Sequence, residues 1–192
     1  MPHIFFRNKN GKFQLDNQEA LRISSRATGI VLADLDNDGD VNLYISRIPH
    51  DKDSSYLIPI QGCKLHRKDG NGVFTDISRG NVNCPLSFGG GSSIELDYDG
   101  DGLLDIIVGE DPMTGYNGSK TRGSRLFHNK GNLQFEDVTQ AVGITAGIPG
   151  YGAAAADVNN DGWADLFLAA NDGAAYYSST ISMASFMNPR FT

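Results

Sequence analysis

The chain has 192 residues, 40% of them hydrophobic, enough for a real core in one domain or two small ones. Its formal net charge is −7 with no basic stripe to offset it, which argues against nucleic acid as a partner. No apolar run is long enough to span a bilayer, so direct membrane insertion is not expected, and the opening MPHIFFRNKNGKF lacks the apolar stretch of a secretory signal.

In chain order, the first motif is FFRNKNGKFQLD, with Phe6, Asn8, Gly11, Phe13 and Asp16, which reads as two short strands around an Asn-Gly reversal. A chain that starts inside a motif is expected to be an excised or incomplete piece of a longer protein. IVLADLD then leads as a strand into DLDNDGDVN, and VNLYISR leaves it as another. KLHRKDGNGVFTDIS repeats the hairpin with Leu65, Gly72, Phe74, Asp76 and Ile77. SSIELDYD and LLDIIVGE flank a second acidic loop, DYDGDGLLD. The polar stretch DPMTGYNGSKTRGS precedes a third hairpin, RLFHNKGNLQFEDVT, with Leu126, Phe127, Asn129, Gly131, Phe135, Asp137 and Val138. AAAADVN and ADLFLAAN flank the third acidic loop, DVNNDGWAD. Sustained helical periodicity is absent, and only NQEALRI and TQAVGI suit single turns.

Two markers fix a period. The hairpin aromatic moves from Phe13 to Phe74 to Phe135, steps of 61 and 61, and the first loop aspartate from Asp34 to Asp97 to Asp157, steps of 63 and 60. Agreement between the two indicates a repeat architecture. Four strands in a unit of about sixty residues suit a β-propeller blade. The expected fold is all-β, with four-stranded antiparallel blades in about three repeats and an incomplete propeller. Repeat units fall near 4–46, 62–110 and 124–170 within a propeller segment over 1–170, and 171–192 reads as a degenerate or truncated start of a further repeat.

The loops carry the chemistry. Positions 1, 3, 5 and 9 are Asp34, Asp36, Asp38 and Asn42 in the first, Asp97, Asp99, Asp101 and Asp105 in the second, and Asp157, Asn159, Asp161 and Asp165 in the third. Glycine stands at position 6 each time, where a sharp turn lets the side chains converge. Such oxygen-rich spacing suits a hard cation, calcium above magnesium, which holds to six-coordinate geometry and keeps its waters. Position 7 (Asp40, Leu103, Trp163) would give its backbone carbonyl, consistent with three unlike side chains. An EF-hand needs Glu at position 12, where this chain has Ile45, Val108 and Leu168. Turn preference alone also favours Asp, Asn and Gly, but would not reproduce the pattern three times. The loops hold eleven of the 23 acidic residues, and up to three bound calcium ions would move the formal charge from −7 to about −1. Carboxylate count ranks the second loop tightest and the first weakest, with Asp40 a partial substitute for the missing carboxylate at Asn42. Calcium would be structural, clamping like charges at a hairpin end and coupling binding to folding.

These residues resemble tandem FG-GAP/VCBS repeats, the calcium-binding blades of integrin α-type β-propellers. Phe88-Gly89-Gly90-Gly91 matches the name-giving Phe-Gly, and RLFHNKGNLQFEDVT…GYGAAAADVNNDGWADLFLAAN is similar to repeats of the cartilage acidic protein family and its bacterial relatives. The resemblance runs from about Ile4 to Ala170 and departs at Asn42 and Asn159. It implies an extracellular or cell-surface recognition or adhesion scaffold, secreted within a longer parent, with a protein or glycan ligand.

Other features stay open. Cys63 and Cys84 suit a disulfide or two free thiols. Asn117-Gly118-Ser119 is a glycosylation acceptor pattern in a polar loop, where Tyr116 and Lys120 offer an interaction surface. His3, His50, His66 and His128 show no metal or triad spacing. No nucleophile elbow, phosphate loop or zinc pattern stands out, so no catalytic or organic-cofactor site is expected. Three blades are too few for a closed ring, which implies an open or self-associating arc, or a segment of a longer one. A lectin-like propeller, with Tyr98, Tyr116 and Tyr151 as stacking platforms, is the second reading. An accessory domain of a secreted hydrolase or lyase is the third.

Overall fold

The computed structural model describes residues 4–23, 26–48, 63–78, 90–110, 114–116, 119–120, 123–144, 150–169 and 179–182. His3, His50, Cys84, Phe88, Gly89, Asn117 and Gly118 lie outside the described residues, as do the side chains of Tyr116, Ser119 and Lys120.

Strands β1 (Phe5–Lys9) and β2 (Lys12–Asp16) form a hairpin that reverses at Asn10 and Gly11, both left-handed at φ 53° and 81°. Asn and Gly reach that conformation at least cost. A single 3-10 turn, Glu19–Leu21, follows. The first four-stranded sheet runs β3 (Arg26–Ala33), β4 (Asn42–Ile48), β5 (Lys64–Asp69), β6 (Val73–Asp76), each antiparallel to its neighbour. The second sheet begins with β7 (Gly90–Leu96) and β8 (Asp105–Glu110). A separate small ribbon, β9 (Thr114–Tyr116) with β10 (Ser119–Lys120), interrupts the chain before β11 (Arg125–Asn129) and β12 (Phe135–Asp137) complete that sheet in the order β7-β8-β11-β12. A third sheet pairs β13 (Gly152–Ala156), β14 (Asp165–Ala169) and β15 (Ser179–Ser182). β15 is the one described part of residues 171–192.

Sequence units and sheets are out of step. Each four-stranded sheet takes its acidic-loop strands from one unit and its outer hairpin from the next. Strand alternation makes both sheet faces apolar, as stacking on both sides requires. On β4, Leu43 and Ile45 face Leu21, Ile23 and Phe74, while Tyr44 joins Val31, Leu65, Ile106, Val108, Phe127 and Phe135 between the first two sheets. On β8, Ile106 and Val108 face the first sheet while Ile107 turns to Leu126, Leu166 and Leu168 against the third. A buried aliphatic side chain contributes about 1.5–3 kcal/mol, against at most about 1 for an exposed ion pair, so these layers hold the sheets together.

The inner strands approach closely. A Cβ on Gly91 would stand 2.2 Å from the Gly150 carbonyl oxygen, and one on Gly29 2.4 Å from the Ser93 nitrogen. Ser92 N–H donates to the Tyr151 carbonyl (3.0 Å) and Gly150 N–H to the Glu110 carbonyl (2.9 Å), tying the second sheet to the third. Between the two middle strands of that second sheet, Arg125 and Glu110 form a buried ion pair (2.8 Å). Breaking such a pair from one side costs about 3–5 kcal/mol, so it pins β11 beside β8.

Among the described residues the stack is open, consistent with an incomplete propeller. Phe6, Phe13 and Leu15 on β1–β2 are exposed, as are Ile30 and Leu32 on β3. Ile30 and Leu32 pair with Ile45 and Leu43, so they share the face that β1–β2 covers over its outer half.

Candidate metal centre

Each acidic loop joins the first two strands of its sheet, and three internal hydrogen bonds recur. The position 6 glycine N–H donates to the position 1 aspartate: Gly39 to Asp34 (2.9 Å), Gly102 to Asp97 (3.0 Å), Gly162 to Asp157 (2.9 Å). The position 7 N–H donates to position 5: Asp40 to Asp38 (2.8 Å), Leu103 to Asp101 (2.8 Å), Trp163 to Asp161 (3.0 Å). The position 2 N–H donates to position 9: Leu35 to Asn42 (2.7 Å), Tyr98 to Asp105 (3.0 Å), Val158 to Asp165 (3.2 Å). Position 9 is therefore a staple across the loop, a task an amide oxygen performs as well as a carboxylate. That accounts for Asn42 at the position where the other loops have aspartate.

Sequence reasoning passed over position 4. Asn37, Gly100 and Asn160 are all left-handed there (φ 55°, 75° and 60°), as are the glycines at position 6. The signal was available in the Asn, Gly, Asn succession, residue types suited to that conformation.

The loops gather carboxylates as the spacing predicts, though unequally. Asp34, Asp36 and Asp38 bring oxygens within 4.8 Å of one another, as do Asp97, Asp99 and Asp105. Oxygens so close repel unless a proton or cation lies among them. Burial and the neighbouring Asp38 raise the Asp36 carboxyl above its usual range, and its buried Oδ1 has no hydrogen-bond partner. Burial lifts Asp105 to about 6, although the Asn129 and Tyr98 N–H groups and His128 pull the other way. These are the marks of a donor set that fits a hard divalent cation. In the third loop Asn159 Nδ2 donates to Asp161 (3.1 Å), and no trio of carboxylates comes as close among the described residues.

Neighbouring elements add groups that the loop pattern does not contain. Lys68 on β5 holds Asp40 Oδ1 in an ion pair (2.5 Å), so Asp40 faces an ammonium, away from the role of substitute ligand. Asn129 on β11 donates through Nδ2 to the Leu35 (2.6 Å) and Leu104 (2.9 Å) carbonyls, linking the first two loops. Asn37 Nδ2 also reaches the Gly102 carbonyl (3.0 Å). Trp163 lies against Gly100, where a Cβ would stand 3.4 Å from its ring, so this position 7 side chain joins the third loop to the second. His128, which sequence spacing sets apart from any metal site, places Nδ1 3.1 Å from Asp105 Oδ1 and 3.6 Å from Asp99 Oδ2. Tyr98 is buried with its ring edge-on to His128 (5.5 Å), so it offers no sugar platform, whereas Tyr151 is exposed. Cys63 is disulfide-bonded, and the chain's other cysteine, Cys84, lies outside the described residues.

Stacked antiparallel blades with Asp-rich loops on their leading strands define a propeller-repeat protein. The family of the FG-GAP-like repeat matches residues 97–168, a stretch that runs from the second acidic loop through the hairpin β11–β12 and the third loop into β14. Over that stretch the chain is similar to FG-GAP-like repeats. Among curated proteins none matches it significantly.

Proposed function

We propose that the chain is a calcium-binding, non-catalytic recognition or adhesion scaffold that works at an extracellular surface, with calcium held by the three acidic loops. The observation that carries this reading is the convergence of carboxylates in successive loops, with Asp36 Oδ1 buried and unpartnered. In the first loop Asp34, Asp36 and Asp38 would hold the ion. In the second, Asp97, Asp99, Asp101 and Asp105 would, with the Leu103 carbonyl, and in the third Asp157, Asn159, Asp161 and Asp165, with the Trp163 carbonyl. The ion would offset the repulsion within each loop and tie the ends of two strands. Reading Asp105 or Asp165 as an acid or base is disfavoured because each is a staple of its own loop. A disulfide-bonded Cys63 suits an oxidising compartment. A protein ligand is favoured over a glycan because Tyr98 is buried.

Thermal melting with calcium and with chelator tests the metal. Calcium at a hundred times the Kd of one loop should stabilise the fold by about 2.7 kcal/mol. An identical melting temperature in both buffers would remove calcium from its structural role.

A further inference from the structure

We propose that His128 is a ligand of the cation held by the second loop. It makes that loop a mixed oxygen–nitrogen site, which takes a borderline divalent ion such as zinc in preference to calcium. The inference rests on the reading that this loop binds a divalent cation, and it changes which one.

Three observations lead there. Asp99, Asp101 and His128 bring ligand atoms within 4.8 Å of one another, a cluster that shares Asp99 with the all-carboxylate trio. Nδ1 is hydrogen-bonded to Asp105 Oδ1 at 3.1 Å and lies 3.6 Å from Asp99 Oδ2, so loss of the shared proton would leave it close to the roughly 3.0–3.5 Å that bonds of about 2.0–2.2 Å set between adjacent donors around one ion. Burial of most of the imidazole (side chain 16% exposed) and the edge-on contact with Tyr98 hold the ring in that orientation.

Strand register sets this loop apart from its siblings. Phe127 pairs with Ile106 as His66 pairs with Leu43, so β5 carries Arg67 at the place of His128 and Lys68 at the place of Asn129. Arg67 is turned to Asp69 (3.2 Å), and neither cation can ligate a metal. At the third loop β15 pairs Ser182 with Asp165, so the residue at that register is a serine. Among the described residues, imidazole reaches the second loop alone. Carboxylate and carbonyl oxygens suit calcium, whereas adding imidazole moves preference toward zinc and its neighbours in the first transition row.

The test uses the whole chain, titrated separately with zinc and with calcium by calorimetry, beside His128→Phe, which keeps a ring against Tyr98. One zinc should bind the wild type more tightly than calcium binds the second loop. The substitution should weaken zinc at least tenfold and change calcium less than twofold. Zinc affinity untouched by His128→Phe, or zinc bound more weakly than calcium in the wild type, overturns the proposal. Should the variant misfold, zinc K-edge absorption on the wild type decides: imidazole scattering supports the proposal, and an all-oxygen shell sinks it. Calcium without effect at any loop, with zinc still dependent on His128, would defeat the calcium scaffold and leave this site standing. The reverse pattern would do the opposite.

Discussion

The first and second acidic loops share their spacing, their left-handed turn positions and their internal hydrogen bonds, yet their surroundings have opposite character. Around the second, β8 and β11 supply a carboxylate at Asp105, an imidazole at His128 and a backbone N–H from Asn129 (2.7 Å to Asp105). Around the first, β4 and β5 supply the amide of Asn42 and the ammonium of Lys68. Asn42 Nδ2 is buried without a partner, a donor where the second loop has an acceptor. On the proposed reading the second loop would keep its negative charge for an incoming ion, whereas the first has part of it answered by Lys68. Loop sequence sets the shape of a site, and the next strand over sets its appetite.

The sharpest way to break the contrast is to remove position 1 from each loop. Asp97→Ala takes the acceptor from the Gly100 (2.8 Å) and Gly102 (3.0 Å) N–H groups, and Asp34→Ala takes it from Asp38 (3.2 Å) and Gly39 (2.9 Å). With chelator both should cost about 2 kcal/mol, a figure kept low because the loops are exposed. In saturating calcium the Asp97 variant should lose about 5 kcal/mol, the hydrogen bonds together with the ion's contribution, and the Asp34 variant much less. Urea unfolding in both buffers reads the difference. Equal losses in calcium would erase the distinction between the loops.

Acidity gives the next largest effect. Asp105 sits at about 6 in the folded protein against 3.8 in an unfolded chain, so folding favours its protonated form. Its stabilising contribution is complete below pH 3.8 and disappears as pH rises through 6, up to about 3 kcal/mol for two pH units. Asp76, held near 2 by Lys64 and Ser78 against the opposing effect of burial, works oppositely and loses its contribution as pH falls from 3.8 toward 2. The chelated protein should therefore melt at progressively lower temperature as pH climbs from about 4 to 6.5. Calcium should flatten that slope, because the ion replaces the proton. A slope unchanged by calcium would place the ion away from Asp105.

How much of this was legible follows from where each signal lies. The strands, the reversals at Asn10-Gly11 and the acidic loops are local, written in alternation and in residues suited to left-handed turns. The composition of each sheet was less so, because pairing β4 with β5 and β8 with β11 joins segments from different sequence units. Lys68 lies 28 residues from Asp40 and His128 23 from Asp105, separations that no loop pattern encodes. Position 9 carries a second task that spacing does not show: one of its oxygens accepts the position 2 N–H, a bond that Asn42 makes as well as Asp105 and Asp165.

Asn42→Asp sharpens the comparison from the weak side. The new carboxylate keeps the bond from Leu35 N–H and puts an acceptor where the unpartnered amide nitrogen stands beside Asp36. Calcium should bind the first loop about tenfold more tightly, equivalent to about 1.4 kcal/mol. With chelator the variant should be less stable than the wild type, since a fourth carboxylate joins Asp34, Asp36 and Asp38. Calorimetry in a background of Asp97→Ala with Asp157→Ala isolates the first loop. No gain in affinity would mean that position 9 of this loop faces away from the ion.

The smallest effect belongs to Lys68→Met, and its direction matters more than its size. The Lys68–Asp40 pair is partly exposed, with side chains 23% and 28% accessible, so its loss should cost the chelated fold less than about 1 kcal/mol. A positive charge a few ångströms from a cation site in a solvated setting opposes binding by roughly 0.5–1 kcal/mol. Removing it should tighten calcium at the first loop about threefold, and the gain should shrink in high salt, where such interactions are screened. Methionine keeps most of the aliphatic stem, so packing changes little. Weaker calcium binding in the variant would give Lys68 a supporting role, steadying Asp40 for the ion, and the first loop would then resemble the second more closely than its charges suggest.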